Sequence, residues 1–154
     1  MIKLGRLTDY AVTLLTQMVS EDKGVWAASD LAEKTGLPSP TVAKVLKQLA
    51  KSDIIAAQRG ASGGYRLALP AASISVATIV EAMDGPIALT ECSDGGDHSC
   101  GVEKICPMNG HGNKLRRAVR QALETVSLAD MVVPPSFPPR ATPLPALEET
   151  GGRA

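Results

Sequence analysis

The sequence predicts a mainly α chain carrying one small β-hairpin, on three observations. Apolar residues recur at helical spacing in several stretches between Thr8 and Val126. The period falls to two only once, on either side of the glycine-rich run Arg59-Gly60-Ala61-Ser62-Gly63-Gly64. The 154 residues are 44% hydrophobic, enough for one packed domain with a further element and a tail.

The elements follow in order. Thr8 is expected to cap a first helix with Ala11, Leu14, Leu15, Met18 and Val19 inward, ended by the polar stretch Ser20 to Gly24. Ser29 is expected to cap a short second helix through Leu31 and Ala32, stopped at Gly36. Ser39-Pro40 starts a third, because serine accepts from free amides and proline at the first helical position loses no useful donor. Val42, Val45, Leu46 and Leu49 form its apolar face, and Lys44, Lys47, Gln48 and Lys51 fall mostly away from it. A strand from Ile54 to Gln58 and a return strand with Tyr65, Leu67 and Leu69 on one side flank the glycine-rich turn. Ser75 caps a fourth helix with Val76, Ile79, Val80 and Met83 inward, closed by Gly85-Pro86. No period is visible from Ile87 to Asn113. Leu115, Val119, Ala122, Leu123 and Val126 mark a further helix, with Leu128 and Met131 extending it or forming a short turn after Ser127. The stretch from Pro134 holds six prolines and no apolar period, and reads as a disordered tail.

Helix, short helix, turn, helix and two-stranded wing is the order of a winged helix-turn-helix, with a long helix after it. The expected organisation is a DNA-binding domain over 1–86, a cysteine-containing loop over 87–113, a long helix over 114–133 and a tail over 134–154. The third helix would enter the major groove with Ser39, Thr41 and Lys44 toward base edges, and with Lys47 and Lys51 toward phosphates. The wing offers Arg59 to a narrow minor groove, and Gly60 lets the backbone approach a phosphate. Lysines on a helix are by themselves only a solvated face. The capped third helix, its basic outer side and the Arg-Gly wing together point to DNA.

Charge distribution agrees, although net charge is zero. Residues 1–70 carry nine Lys/Arg against six Asp/Glu, residues 71–112 one against six, and residues 113–133 four against two. A basic N-terminal module is thus joined to an acidic stretch. Aromatic residues make up 3%, too few for a base-stacking RNA or single-strand binder. No run of eighteen apolar residues suggests a membrane span, and Met1-Ile2-Lys3-Leu4-Gly5-Arg6 lacks a secretory signal, so a cytoplasmic location is expected. No Ser/His/Asp set, phosphate loop or HExxH motif points to an enzyme.

The three cysteines, Cys92, Cys100 and Cys106, follow C-x7-C-x5-C. An odd, clustered set is poorly explained by disulfides and better by metal or redox chemistry. No C-x2-4-C knuckle of a zinc site is present. Wide spacing on a loop with Gly95, Gly96, Gly101 and Gly110 suits an iron–sulfur cluster, 2Fe-2S or 4Fe-4S, in which each thiolate can reach a different iron. Free thiols, and a zinc ion on three cysteines with His98 or His111, are the alternatives, which would make a zinc-binding or thiol-based redox regulator of other stress genes. His111 and Asp9 are candidates for a fourth cluster ligand; Asp9 could equally serve the positive end of the first helix.

On these residues the chain resembles the IscR/NsrR/RirA group of winged-helix regulators, the Rrf-two family. The likeness is carried by Arg6-Leu7-Thr8-Asp9-Tyr10-Ala11-Val12, the Leu31-Ala32 helix, Leu46 to Leu49, Arg59-Gly60-x-x-Gly63-Gly64-Tyr65-x-Leu67 and the three cysteines, and it runs from Met1 to about Val133. The stretch Leu37 to Lys47 looks like the branch regulating SUF-type iron–sulfur cluster assembly genes. The resemblance implies a homodimer joined through a helix near Lys114–Val126, with a cluster near the partner subunit's winged domain. It implies repression of an approximately palindromic operator, with Arg59 in the minor groove and Thr41 and Lys44 in the major groove. It also implies a trans role for Asp9, because some members complete the cluster with an acidic residue there. The chain departs at Ala43, where IscR-type members carry an acidic base-reading residue, and at Asn109, where they carry a histidine ligand.

Overall fold

Apolar positions spaced three and four apart along the first three helices close over one core, and the later elements fill its open sides. The computed structural model describes residues 3–21, 23–88 and 111–132. It contains α1 (Arg6–Ser20), α2 (Ala28–Thr35), α3 (Ser39–Lys51), β1 (Ile55–Gln58), β2 (Gly64–Leu67), a 3-10 turn (Ala71–Ser73), α4 (Val76–Asp84), α5 (His111–Glu124) and α6 (Leu128–Val132). Cys92, Cys100, Cys106, His98 and the proline-rich stretch 134–154 lie outside the described residues.

Ala11, Leu14 and Leu15 of α1, Leu31 of α2 and Val42, Val45, Leu46 and Leu49 of α3 are fully buried together, joined by Trp26, Ile54, Ile55, Ile74, Ile79 and Leu128. Burying such a side chain is worth about 1.5–3 kcal/mol, so these positions dominate the stability of the unit. A second, smaller cluster of Val76, Ala77, Val80 and Ile87 lies against Val119, Leu123 and Val126. The two clusters use opposite sides of α4, which therefore sits between α1 and α5.

β1 and β2 pair antiparallel with Ile55 opposite Leu67 and Gln58 opposite Gly64. Both strands are shorter than their alternation suggests: Ile54 precedes β1, and Leu69 lies beyond β2 and is 51% exposed. On the far edge of β2, Trp26 exchanges both backbone bonds with Tyr65 at 2.8 Å, so the hairpin is anchored by a third extended segment from the α1–α2 connection. A Cβ on Gly64 would run into the Trp26 carbonyl group, with its carbon at 2.8 Å, which explains a glycine at this crossing.

Two expected caps are not caps. α1 starts at Arg6 after Gly5, and Thr8 is buried in its first turn with its hydroxyl donated to Asp84. α2 starts at Ala28 after Ala27 with no side-chain cap, and Ser29 faces Asp30 instead. Ser39 is itself the first residue of α3, with Pro38 at the cap and Pro40 in the first turn, one position from the expected boundary. Ser75 does cap α4, accepting the Thr78 N–H at 3.1 Å.

The helix expected over 114–133 is divided. α5 starts earlier, at His111, and ends at Glu124; α6 is separate, and its Leu128 is fully buried in the main core. The division is fixed by a capping box: the Ser127 N–H donates to Asp130 Oδ2 at 2.8 Å and the Asp130 N–H to Ser127 Oγ at 3.3 Å. The pattern Ser-x-x-Asp is visible in the sequence and marks this helix start. α4 and α5 run antiparallel. The Val76 N–H meets the Val126 carbonyl at 2.8 Å, and Glu81 meets Arg120 further along. The cysteine-bearing residues are therefore the connection of a helical hairpin.

Candidate nucleic-acid interface

α2 ends where Gly36 adopts φ 70°, its N–H on the Ala32 carbonyl at 2.9 Å. A left-handed residue here lets the chain reverse without a Cβ penalty. Pro38 then presents its carbonyl to the N–H groups of Thr41 and Val42 at 2.9 and 3.0 Å and starts α3. With Val42, Val45, Leu46 and Leu49 all fully buried, the opposite side of α3 is fixed toward solvent. It presents Pro40, Ala43, Lys44, Lys47 and Lys51.

Of the residues expected to face DNA, Ser39, Lys44 and Lys47 are exposed, and Thr41 is half-buried. Ser39 lines an open cleft with Ser29, Glu33, Gly36 and Pro38 where α2 and α3 meet. Gln48 belongs elsewhere: its Nε2 donates to the Ala82 carbonyl of α4 at 3.0 Å.

The wing loop runs from Arg59 to Gly63, and both Arg59 and Gly60 are exposed. Gly60 takes φ 114°, and its carbonyl accepts the Gly63 N–H at 2.9 Å. A Cβ on Gly63 would meet the carbonyl oxygens of Gln58 at 2.6 Å and Gly60 at 2.8 Å. The two glycines at 63 and 64 thus set the wing's tight return. Arg66, opposite Ala56 on β2, is a further exposed cation of the hairpin that the sequence pattern alone did not single out.

Lys23 pairs with Asp30 at 3.0 Å and lies 5.0 Å from the centre of the Trp26 ring, and Lys34 pairs with Glu21 at 2.8 Å. These pairs brace the α1–α2 connection. Lys34 holds the Glu21 carboxyl below its ordinary value, and Lys23 does the same to Asp30. Among the described residues, Lys44, Lys47, Lys51 and Arg59 are in no ion pair.

The candidate fourth ligands are placed differently from each other. Asp9 is exposed in the first turn of α1 and lines an open cleft with Lys3, Leu4, Gly5 and Arg6. His111 is not a loop residue: it opens α5, exposed, ahead of the buried Gly112. Among the described residues no group of three or more His, Cys, Asp or Glu is gathered as a metal site. No helix among them is long and apolar enough to cross a membrane.

Residues 4–134 match the family model Rrf2, described as an iron-dependent transcriptional regulator. The chain is 27% identical over 132 residues to the HTH-type transcriptional regulator NsrR of Oceanobacillus iheyensis, covering 85% of this chain and 90% of that one. Among solved structures it is similar to CymR, the global cysteine regulator of B. subtilis, with a TM-score of 0.64 and 21% identity over 86% of this chain and 97% of that one. It is also similar to T. potens IscR, with a TM-score of 0.62 and 22% identity over 85% of this chain and 86% of that one. At these identities the two structures bear on the fold, and they share the winged-helix arrangement described above. With the family model matching residues 4–134, nearly all the described residues, the chain belongs to the Rrf2 family and is a DNA-binding transcriptional regulator, not an enzyme.

Proposed function

We propose that this chain is a homodimeric repressor of iron–sulfur cluster assembly genes, whose hold on operator DNA is set by a cluster on Cys92, Cys100 and Cys106. One observation carries the reading: the cysteine segment is the connection of the α4–α5 hairpin, and α4 is bonded directly to the recognition helix α3. The donor set fits the group. Three thiolates, widely spaced, suit irons bridged by sulfide better than a single ion. When bound, such a cluster supplies a link between the thiolates that oxidants can break.

The chain's own residues do the rest. Ser39, Thr41 and Lys44 face base edges, Lys47 and Lys51 neutralise phosphates, Arg59 enters the minor groove, and Gly60 lets the wing backbone approach a phosphate. Asp9 offers a carboxylate at an open cleft, reachable by a partner subunit's cysteine segment. Leu115, 44% exposed, and the exposed Ala118 and Ala122 lie off the α4 contact, an apolar stripe suited to a second copy of α5.

The test is operator binding by cluster-loaded and cluster-free protein side by side, after anaerobic purification with absorption and Mössbauer spectra. Tighter binding by the loaded dimer is expected. A colourless, zinc-loaded protein, or equal affinity of the two forms, would overturn the reading.

A further inference from the structure

The last turn of α4 holds three other helices within four residues. Glu81 accepts from Arg120 Nε of α5 at 2.9 Å. The Ala82 carbonyl accepts Gln48 Nε2 of α3 at 3.0 Å. Asp84 Oδ2 accepts the N–H of Gly5, at the cap of α1, at 3.0 Å and the hydroxyl of Thr8, in its first turn, at 2.7 Å. Cys92 lies eight positions beyond Asp84.

We propose that this turn, Glu81–Asp84, is a mechanical relay between the α4–α5 hairpin and the DNA-reading head, with Gln48 as the positioning residue that passes its displacement to α3. The contacts fall where helices leave backbone groups unpaired. Ala82 is among the last four carbonyls of α4, and Gln48 supplies the missing donor. Gly5 stands at the start of α1, and Asp84 supplies the missing acceptor. The Ala82 and Asp84 contacts thus each complete a helix end, so moving the turn exchanges a protein partner for water at both. Gln48 is one residue from Lys47 and one helical turn from Lys44, so a shift at Gln48 re-aims both. Glu81 and Arg120 couple the same turn to α5, which follows the cysteine segment. The relay takes its driver from the cluster reading above, but the link itself does not depend on it.

Coupling between sites is reciprocal, so DNA bound at α3 must be felt in α5. Hydrogen exchange of the full chain is measured with and without a duplex that this protein selects from a random pool. We expect DNA to slow amides in the last turn of α4 and in α5 by about five-fold or more. Gln48→Met, which keeps length and removes the donor, should abolish the slowing in α5 and keep it in α3. Glu81→Ala, which removes the acceptor of a solvent-accessible pair, should do the same from the other side. Unchanged α5 exchange on DNA binding in the native chain, or full slowing in both variants, overturns the relay. Slowing that depends on Gln48, found together with equal affinity of cluster-loaded and cluster-free protein, would sustain the relay and sink the cluster reading.

Discussion

Thr8 donates its hydroxyl to Asp84 at 2.7 Å across 76 positions of sequence, and the same carboxylate oxygen takes the Gly5 N–H. A carboxylate here serves the positive end of α1 and replaces a local cap. Thr8→Val keeps the buried shape and removes the donor, and is expected to cost about 1 kcal/mol. Asp84→Ala removes the acceptor from two donors and should cost more. A Cβ at Gly5 would meet Asp84 Oδ2 at 2.8 Å, so Gly5→Ala should be harmful in the native chain and nearly neutral once Asp84 is alanine. Urea midpoints of the singles and the Gly5/Asp84 double variant check this cycle.

The wing is tested through Trp26, the sole tryptophan, 1% exposed and paired to Tyr65. Gly64→Ala forces the added methyl against the Trp26 carbonyl and should destabilise the protein by about 1–3 kcal/mol with a red shift of the emission. Gly60→Ala meets no atom but sits at φ 114°, so its strain stays at the wing tip. It should weaken DNA binding and leave the emission in place. Equal spectra for both variants would contradict this division.

Lys44→Ala and Arg59→Ala are each expected to weaken operator binding by about 1–3 kcal/mol and to relax sequence preference where they touch. Lys47→Ala should instead weaken all sequences alike and reduce the salt slope by about 1. Gln48→Ala removes no charge, so it should change that slope less than Lys47→Ala does. Binding titrations over a range of salt concentrations separate the classes.

If Asp9 completes the cluster from the partner subunit, Asp9→Ala shortens its lifetime in air and alters its spectrum, while His111→Ala does not. The reverse result would assign the ligand to the first residue of α5.

Acid should loosen α6. The Ser127 hydroxyl, and then its N–H, hold the Asp130 carboxyl below its ordinary value. A depressed folded value means the contribution is present above the ordinary carboxylate range and lost as pH falls through the lowered one. Asp130→Asn should therefore lower the melting temperature at neutral pH, with the gap to the native chain closing on acidification. Glu21 and Asp30, lowered by Lys34 and Lys23, shift the native chain in the same direction.

The sequence by itself determined the helical faces, the Ser75 cap and the basic outer side of α3, which depend on neighbours within about four positions, and the hairpin around Arg59–Gly64, whose partners lie within twelve. The capping box at Ser127 is equally local and divides α5 from α6. Tertiary structure decided where polar groups found partners. Thr8 and Ser29 have the chemistry of caps, yet Thr8 went to Asp84, since a nearby surface can satisfy a donor as well as its own helix does, and Ser29 lies within α2, which starts one residue before it. Only folding laid Trp26 beside β2, making Gly64 a point of close backbone approach. Only folding turned Gln48, one of four polar residues on an apparently uniform face, toward the carbonyl end of α4. The period of a helix fixes which residues share a side; which surface that side meets is settled when the helices pack.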